Sequence, residues 1–273
     1  MNRKPPTRKQ KLYNFYEPAL YDLELGEADD TATTVDFYRQ ALGEPSKTFL
    51  DIGAGTGRIT IPLILAGHQA ISVDSSREMT KALVHKLKKQ GLTEEATTLH
   101  ARFGPRRNHP QVDIAIAPDD FLLHLLSTRD LLSFFADLHT WLPPGAAFIT
   151  DTRELPPRFL EKCSRPPYTT KNYGLVRAAG DRTHQMFYQT SVWKSYQPGD
   201  QILTTHYRYE TINPHGRVTQ TLYRVLEQRI HRNAEIISAS RQNGFKLVRQ
   251  CERNTSSRQS QQAIGGTLIF RTE

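Results

Sequence analysis

The sequence has few of the features that mark secreted, membrane-spanning or metal-binding proteins. Its 273 residues include only two cysteines, Cys163 and Cys251, and neither lies at a CxxC or Cys/His spacing. This excludes a disulfide framework and gives no metal-ligand set. No run approaches the roughly 18 apolar residues of a transmembrane helix, and the first residues lack the apolar core of a signal peptide. We therefore expect a cytoplasmic protein without a metal site or a membrane partner.

Acidic residues are absent from the first eleven positions, which hold five basic ones. The formal net charge is +8, so the rest of the chain carries only +3. Because this basic segment also contains two prolines, we expect 1–11 to be a disordered, solvated tail. Charge alone gives non-specific affinity without selectivity, so the tail does not by itself indicate a nucleic-acid partner.

Between residues 47 and 152, short apolar runs alternate with helical patterns. The apolar runs predict strands, and the segments between them carry one apolar face at helical spacing. Alternation of this kind is typical of an α/β fold with a doubly wound, mostly parallel sheet. The predicted strands are 48–53, 69–74, 97–103, 112–118 and 146–152, and the predicted helices are 57–67, 76–91 and 129–142.

The pattern changes after residue 152. A proline-rich stretch without a clear period leads into three β segments, about 183–196, 201–212 and 217–229. The turns QPGD and NPHG between them favour an inserted antiparallel meander. A helix is then predicted with Asn233 as its N-cap and Gly244 after its end. Two last strands, 245–251 and 266–272, bring the main sheet to seven.

The stretch FLDIGAGTGRI, residues 49–59, places glycines at alternate positions: Gly53, Gly55 and Gly57. A Walker loop needs a following lysine, and the dinucleotide fingerprint needs glycine where Arg58 stands. What remains is a strand, a tight turn and a helix start with backbone close to a ligand. Asp74 ends the next strand, where a carboxylate can accept hydrogen bonds from two ribose hydroxyls.

These residues resemble the class I S-adenosylmethionine-dependent methyltransferases. The resemblance rests on three stretches of the sequence: FLDIGAGTGRITIPLILAG, ISVDSSREM and VDIAIAPDDFLLHLL. It covers residues 13–152 well and residues 217–272 loosely. It implies a Rossmann-like methyltransferase fold with S-adenosylmethionine as cofactor. The segments expected are the tail 1–11, a cofactor-binding domain 12–152, a β lid 153–232, and a C-terminal part 233–273 that completes the sheet.

The resemblance also implies roles for the matching residues. Asp51 would reach the cofactor's ammonium group, the loop from Gly53 through Ala54 to Gly55 would pass under its methionine part, and Asp74 would hold its ribose. The acid that often follows the third strand is absent here, so adenine recognition would rest on backbone groups or on packing by nearby side chains. The further cofactor-binding residues expected are Tyr21 at the carboxylate, Ser75 and Met79 beside the adenine, Arg102 and Phe103 packing it, and Pro118 and Asp119 facing the sulfonium and the amino-acid part. Arg58 is also expected to bind the cofactor, without an assigned group.

Methyl transfer is an in-line displacement in which the protein mainly aligns the nucleophile and, where needed, removes its proton. Candidates for a base are His124, Asp119 and Asp120, which lie in or near the loop after the fourth strand, at the edge where α/β sheets place their ligands. A capping or packing role is the alternative for His124.

The function expected is methyl transfer to a nitrogen or oxygen of a small molecule. An RNA or protein methyltransferase, and a protein that uses S-adenosylmethionine for other chemistry, remain alternatives because fold alone does not separate them. We expect the acceptor pocket between the region 12–42, the meander and the loop 119–124. Three meander arginines, Arg208, Arg217 and Arg224, favour an anionic acceptor. The sequence gives no indication of the oligomeric state.

Overall fold

The structure, a computed structural model, describes residues 18, 21–22, 30–163, 171–177, 186–213, 215–252 and 264–273. The predicted tail 1–11 lies outside this part. The chain divides into two compact units, one formed by Ala28–Pro156 with Ile230–Glu273, and one that contains Pro157–Arg229. None of the described helices is long and apolar enough to span a membrane.

The first unit contains the alternating strands and helices that the sequence predicts. The elements are α1 Asp30–Leu42, β1 Thr48–Ile52, α2 Thr60–Leu65, β2 Gln69–Asp74, α3 Arg77–Gln90, β3 Ala96–His100, β4 Ile114–Ala117, a 3-10 turn Phe121–His124, α4 Thr128–His139 and β5 Ala147–Glu154. The parallel part of its sheet is flanked by helices on both faces, because β1, β2 and β4 are each followed by a helix that crosses back over the sheet, whereas β3 leads to β4 through a loop.

The sheet has seven strands in the order β10-β11-β5-β4-β1-β2-β3, where β10 is Phe245–Glu252 and β11 is Ile264–Thr272. Strands β1 to β5 pair in parallel, whereas β11 pairs antiparallel with both β5 and β10. This confirms the predicted doubly wound, mostly parallel sheet of seven strands. The carboxyl ends of β1, β2, β4 and β5 meet at one edge, where ligands bind in such folds.

Two hydrophobic clusters hold the sheet between its helices. One is rich in aromatic side chains: Phe135 lies within 5.3–5.9 Å of four other rings, measured between centroids. The other packs α1, α2 and α3 around fully buried Phe49 and Leu63. Strand β4 is buried at every position because both faces of the sheet are covered.

Helix ends follow the predicted chemistry with one correction. Gly91 ends α3 in the left-handed conformation, with φ +71°, as predicted. The prediction that Asn233 caps the last helix is wrong by one residue: α6, Asn233–Arg241, has Arg232 in the N-cap position. The Glu235 carboxylate accepts a hydrogen bond from the Arg232 backbone N–H at 2.9 Å, so an acid three residues into the helix supplies the cap.

The second unit contains a four-stranded antiparallel sheet in the order β6-β7-β8-β9. It includes the three predicted meander strands. The strand before them and a short helix were not predicted, because the apolar residues of neither segment follow a clear helical or strand period. The elements are α5 Pro157–Cys163, β6 Lys171–Arg177, β7 Met186–Gln197, β8 Ile202–Ile212 and β9 Val218–Arg229.

Candidate functional site

The glycine loop joins β1 to α2 at the carboxyl edge of the sheet. Gly53, Gly55 and Gly57 have φ values of +78°, +57° and +87°, a region that favours glycine. A Cβ on Gly53 would lie 2.5 Å from Phe121 Cδ2, and one on Gly57 would lie 2.4 Å from Leu83 Cδ1. All three positions therefore favour glycine by their backbone conformation, and Gly53 and Gly57 also by the close approach of a side chain.

Asp51, in β1, is the buried acid beneath this loop, with 1 % of its surface exposed. The Thr60 hydroxyl donates a hydrogen bond to Oδ2 at 2.5 Å, while Oδ1 is buried and has no hydrogen-bond partner in the described part of the chain. Burial raises the pKa of the carboxyl to about 7, and the Thr60 hydrogen bond opposes that rise. A carboxyl with one unsatisfied buried oxygen suits a cationic group of a ligand.

Asp74, at the end of β2, holds the glycine loop in place. Its Oδ2 accepts a hydrogen bond from Gly55 N at 2.9 Å, and its Oδ1 accepts one from Ser76 N at 2.7 Å. Burial raises the pKa of this carboxyl above its usual value. Each carboxylate oxygen can accept a second hydrogen bond, so the same group can also serve ligand hydroxyls. Nearby, Ser75 is exposed and Met79 is buried.

The loop after β4 contains two consecutive residues in the left-handed region. Asp119 and Asp120 have φ values of +56° and +58°, which are unusual for non-glycine residues and cluster at functional sites. The Asp119 carboxylate pairs with the Arg58 guanidinium, and the Asp120 carboxylate pairs with Arg153 at 2.5 Å. The buried Pro118 precedes them. The two aspartates thus engage arginines that lie far apart in sequence.

Asp151 is a buried acid in β5 that sequence reasoning missed. Its Oδ2 accepts hydrogen bonds from the Tyr38 hydroxyl at 3.1 Å and from Asp119 N at 3.2 Å. Its Oδ1 accepts a hydrogen bond from the Thr267 hydroxyl at 3.0 Å. The residue therefore connects β5 with α1, β11 and the β4 loop. The only sequence signal was an acid at the end of an apolar strand.

His124 ends the 3-10 turn after this loop and is half-buried. Burial lowers the pKa of its imidazole to about 4, and the nearby Asp120 carboxylate opposes that shift. The ring is therefore neutral at neutral pH. A base works best when its pKa lies near the operating pH, so His124 is a weak base in this environment.

The remaining predicted cofactor residues lie in different settings. The Phe103 ring packs against Phe134 and Trp141, at centroid distances of 5.3 and 6.3 Å, which gives it a structural role. Arg102 is exposed beside it. Tyr21 is half-buried. A direct contact between any of these side chains and a cofactor stays a prediction. Among the residues described, no group of three or more His, Cys, Asp or Glu is placed to hold a metal ion.

Comparison with known proteins finds a family match for part of this chain. Residues 49–145 match the family described as methyltransferase domain. Over 119 residues the chain is 29% identical to a glycine/sarcosine N-methyltransferase from Halorhodospira halochloris, covering 43% of this chain and 44% of that protein. The chain thus matches less than half the length of this curated relative.

Solved structures resemble the whole chain at low identity. The sugar N-methyltransferase KedS8 from Streptoalloteichus sp. has a TM-score of 0.72 at 16% identity, with 100% of this chain and 99% of that chain covered. DesVI from Streptomyces venezuelae has a TM-score of 0.71 at 17% identity, with coverages of 94% and 100%. The chain therefore carries a methyltransferase domain with the class I S-adenosylmethionine-dependent methyltransferase fold, which confirms the resemblance predicted from its glycine loop and strand-end acids.

Proposed function

We propose that this chain is an S-adenosylmethionine-dependent methyltransferase that methylates the nitrogen of a small amine carrying a carboxylate. The observation that carries the proposal is the alternate-glycine loop set between Asp51 and Asp74 at the carboxyl edge of the sheet. The match to a methyltransferase domain supports the same activity. The relatives whose names state an acceptor atom are N-methyltransferases, which favours nitrogen over oxygen.

The residues of this site fit the cofactor. The unsatisfied Oδ1 of Asp51 suits the ammonium group, and Asp74 has acceptor capacity left for ribose hydroxyls. The positive φ at Gly53 and the close approach of the Phe121 ring leave room for the loop backbone but not for a side chain. When bound, S-adenosylmethionine supplies an electrophilic methyl group on its sulfonium.

Arg153 supports an acceptor with a carboxylate. Its side chain is 43% exposed at the carboxyl end of β5, and one of its five N–H donors is engaged with Asp120. A guanidinium with donors remaining can bind a carboxylate through two parallel hydrogen bonds. Among the meander arginines, Arg208 is weaker support, because it lies 3.5 Å from the Glu210 carboxylate, which offsets its charge. Glycine and sarcosine, named for the Halorhodospira relative, are amines of this kind.

Alignment contributes more than base catalysis in this proposal. An amine acceptor is protonated at neutral pH and must lose its proton, to water as it enters the site, before its nitrogen can attack the methyl group and displace S-adenosylhomocysteine. The neutral imidazole of His124 can accept that proton only weakly, because the pKa is about 4. The protein then acts mainly by holding the amine in line with the methyl group, a contribution that does not need a strong base.

The experiment has two stages. Calorimetric titration with S-adenosylhomocysteine should show binding, and NAD should show none. Methyl transfer is then assayed by mass spectrometry with glycine, sarcosine, methylamine and an amino sugar. We expect product from glycine or sarcosine, and we expect Arg153→Gln to raise KM for them while Arg158→Gln, a change of another exposed arginine, does not.

Each outcome bears on a different part of the proposal. Absence of S-adenosylhomocysteine binding would contradict the activity itself. Methylation of methylamine or an amino sugar without glycine or sarcosine would contradict the carboxylate requirement. Methylation of RNA that is lost on deleting residues 1–11 would favour the alternative macromolecular substrate.

A further inference from the structure

The ion pair between Arg58 and Asp119 lies where the cofactor's amino-acid part is expected. Arg58 follows the glycine loop after β1, and Asp119 follows β4, which pairs directly with β1. Asp119 raises and Arg58 lowers the pKa of the Asp51 carboxyl in β1. Their side chains are 12% and 33% exposed, which makes the pair partly buried.

Arg58 is held in this position from a second side. One of its terminal nitrogens donates a hydrogen bond to the Thr31 hydroxyl in α1 at 3.0 Å, while the other pairs with Asp119. A guanidinium anchored in this way changes its partner more readily than its position. The Arg58 side chain therefore offers a fixed binding site for a carboxylate.

The conformation of Asp119 is also fixed. Its φ of +56° is unusual for a non-glycine residue, and its backbone N–H donates to the buried Asp151 carboxylate. Asp151 is anchored in turn by Thr267 in β11 and Tyr38 in α1. The backbone thus directs the Asp119 carboxylate toward Arg58, so the pair is fixed by the fold and is not a chance contact at the surface.

We propose that Asp119 is an internal competitor for the cofactor's carboxylate at Arg58. Asp119 holds the guanidinium when no carboxylate ligand is bound, and the carboxylate of the cofactor displaces it on binding. Asp51 remains the partner for the ammonium group, since its Oδ1 is unsatisfied. The inference rests on the proposed function, because it takes S-adenosylmethionine as the ligand. This competition makes cofactor binding weaker than Arg58 alone would make it. It also makes the release of S-adenosylhomocysteine easier.

The test uses two ligands that differ only in the amino-acid part. S-adenosylhomocysteine carries the carboxylate, and 5′-methylthioadenosine lacks it. Titration calorimetry should show that Asp119→Asn binds S-adenosylhomocysteine about threefold to tenfold tighter than the unaltered chain, the range set by loss of a partly buried ion pair. Binding of 5′-methylthioadenosine should not change. Asp36→Asn, which removes an exposed acid paired with Arg39, is the matched control.

Two further variants keep the test decisive. Asp119→Gly removes the carboxylate and suits a positive φ, so it should reproduce the gain if Asp119→Asn folds poorly. Adding Asp119→Asn to Arg58→Gln should give no gain, because the shared binding group is gone. Unchanged or weaker S-adenosylhomocysteine binding in both Asp119 variants would overturn this inference alone. No binding to the unaltered chain would overturn the proposed function and the inference with it.

Discussion

Replacing Asp51 with asparagine should stabilise the protein against unfolding at neutral and alkaline pH. The pKa of this carboxyl is raised from 3.8 to about 7 by burial. Between these values the folded protein retains a proton that the unfolded chain has lost, so stability falls as pH rises through this window and levels off above about pH 7. A shift of about three pH units corresponds to about 4 kcal/mol, at 1.36 kcal/mol for each unit.

Asp51→Asn removes this titration and leaves an oxygen to accept the Thr60 hydrogen bond. The free energy of unfolding of the variant, measured by urea denaturation without ligand, should gain about 2–4 kcal/mol on that of the unaltered protein between pH 4 and pH 8. Since the two proteins share all other titrating groups, their difference isolates Asp51. Parallel stability curves over this range would refute the assignment of the raised pKa to this residue.

The same carboxyl should make cofactor binding depend on pH. A cationic ammonium group beside Asp51 favours its ionised form, so binding of S-adenosylhomocysteine should release a proton below about pH 7 and tighten as pH rises. Calorimetry in buffers of different ionisation enthalpy measures that proton directly. Asp51→Asn should bind more weakly and without this pH dependence, and a proton release that survives the substitution would show that another group is responsible.

Three further predictions concern neighbouring residues. Asp74→Asn should weaken S-adenosylhomocysteine binding by roughly 1.5–3 kcal/mol, and Asp74→Ala by more, because alanine also removes the acceptor for Gly55 N. A calorimetric change below about 0.5 kcal/mol would contradict a role of Asp74 at the ribose. Gly53→Ala should abolish S-adenosylhomocysteine binding, since the added Cβ would meet Phe121. Gly91 has a similar φ and nothing within 4 Å of an added Cβ, so the control Gly91→Ala should only lower stability, by about 1 kcal/mol in thermal melts. His124→Gln should leave the pH–rate profile above about pH 6 unchanged, because the imidazole is already neutral there, and a lost inflection near neutrality would identify His124 as the base.

The strands and most helices of the main sheet could be predicted because their signals are local. Buried parallel strands read as short apolar runs, and the glycines that end them need conformations that few other residues adopt. The described bounds differ from the predicted ones by only a few residues at most ends. Strand β6 was missed because Lys171–Arg177 mixes charged and apolar residues without alternation.

The partners of the site residues could not be predicted in the same way. The sequence shows two adjacent aspartates after β4, but the left-handed backbone that turns one toward Arg58 and the other toward Arg153 is a property of the folded loop. Asp151 carries no motif, and its importance comes from donors in three separate segments. The second role of Asp74, as an acceptor for loop backbone, was hidden for the same reason.

The position of β11 has a consequence for how the protein is made. This strand lies between β5 and β10, and its Thr267 donates to Asp151, 116 residues earlier in the chain. During synthesis the first five strands leave the ribosome long before the strand that covers the edge of β5. Pairing over such a separation is slow, and an uncovered central strand invites contact with other chains. The edge of β5 should therefore stay exposed until β11 docks, and the hydrogen bond from Thr267 to Asp151 should form only at that late step.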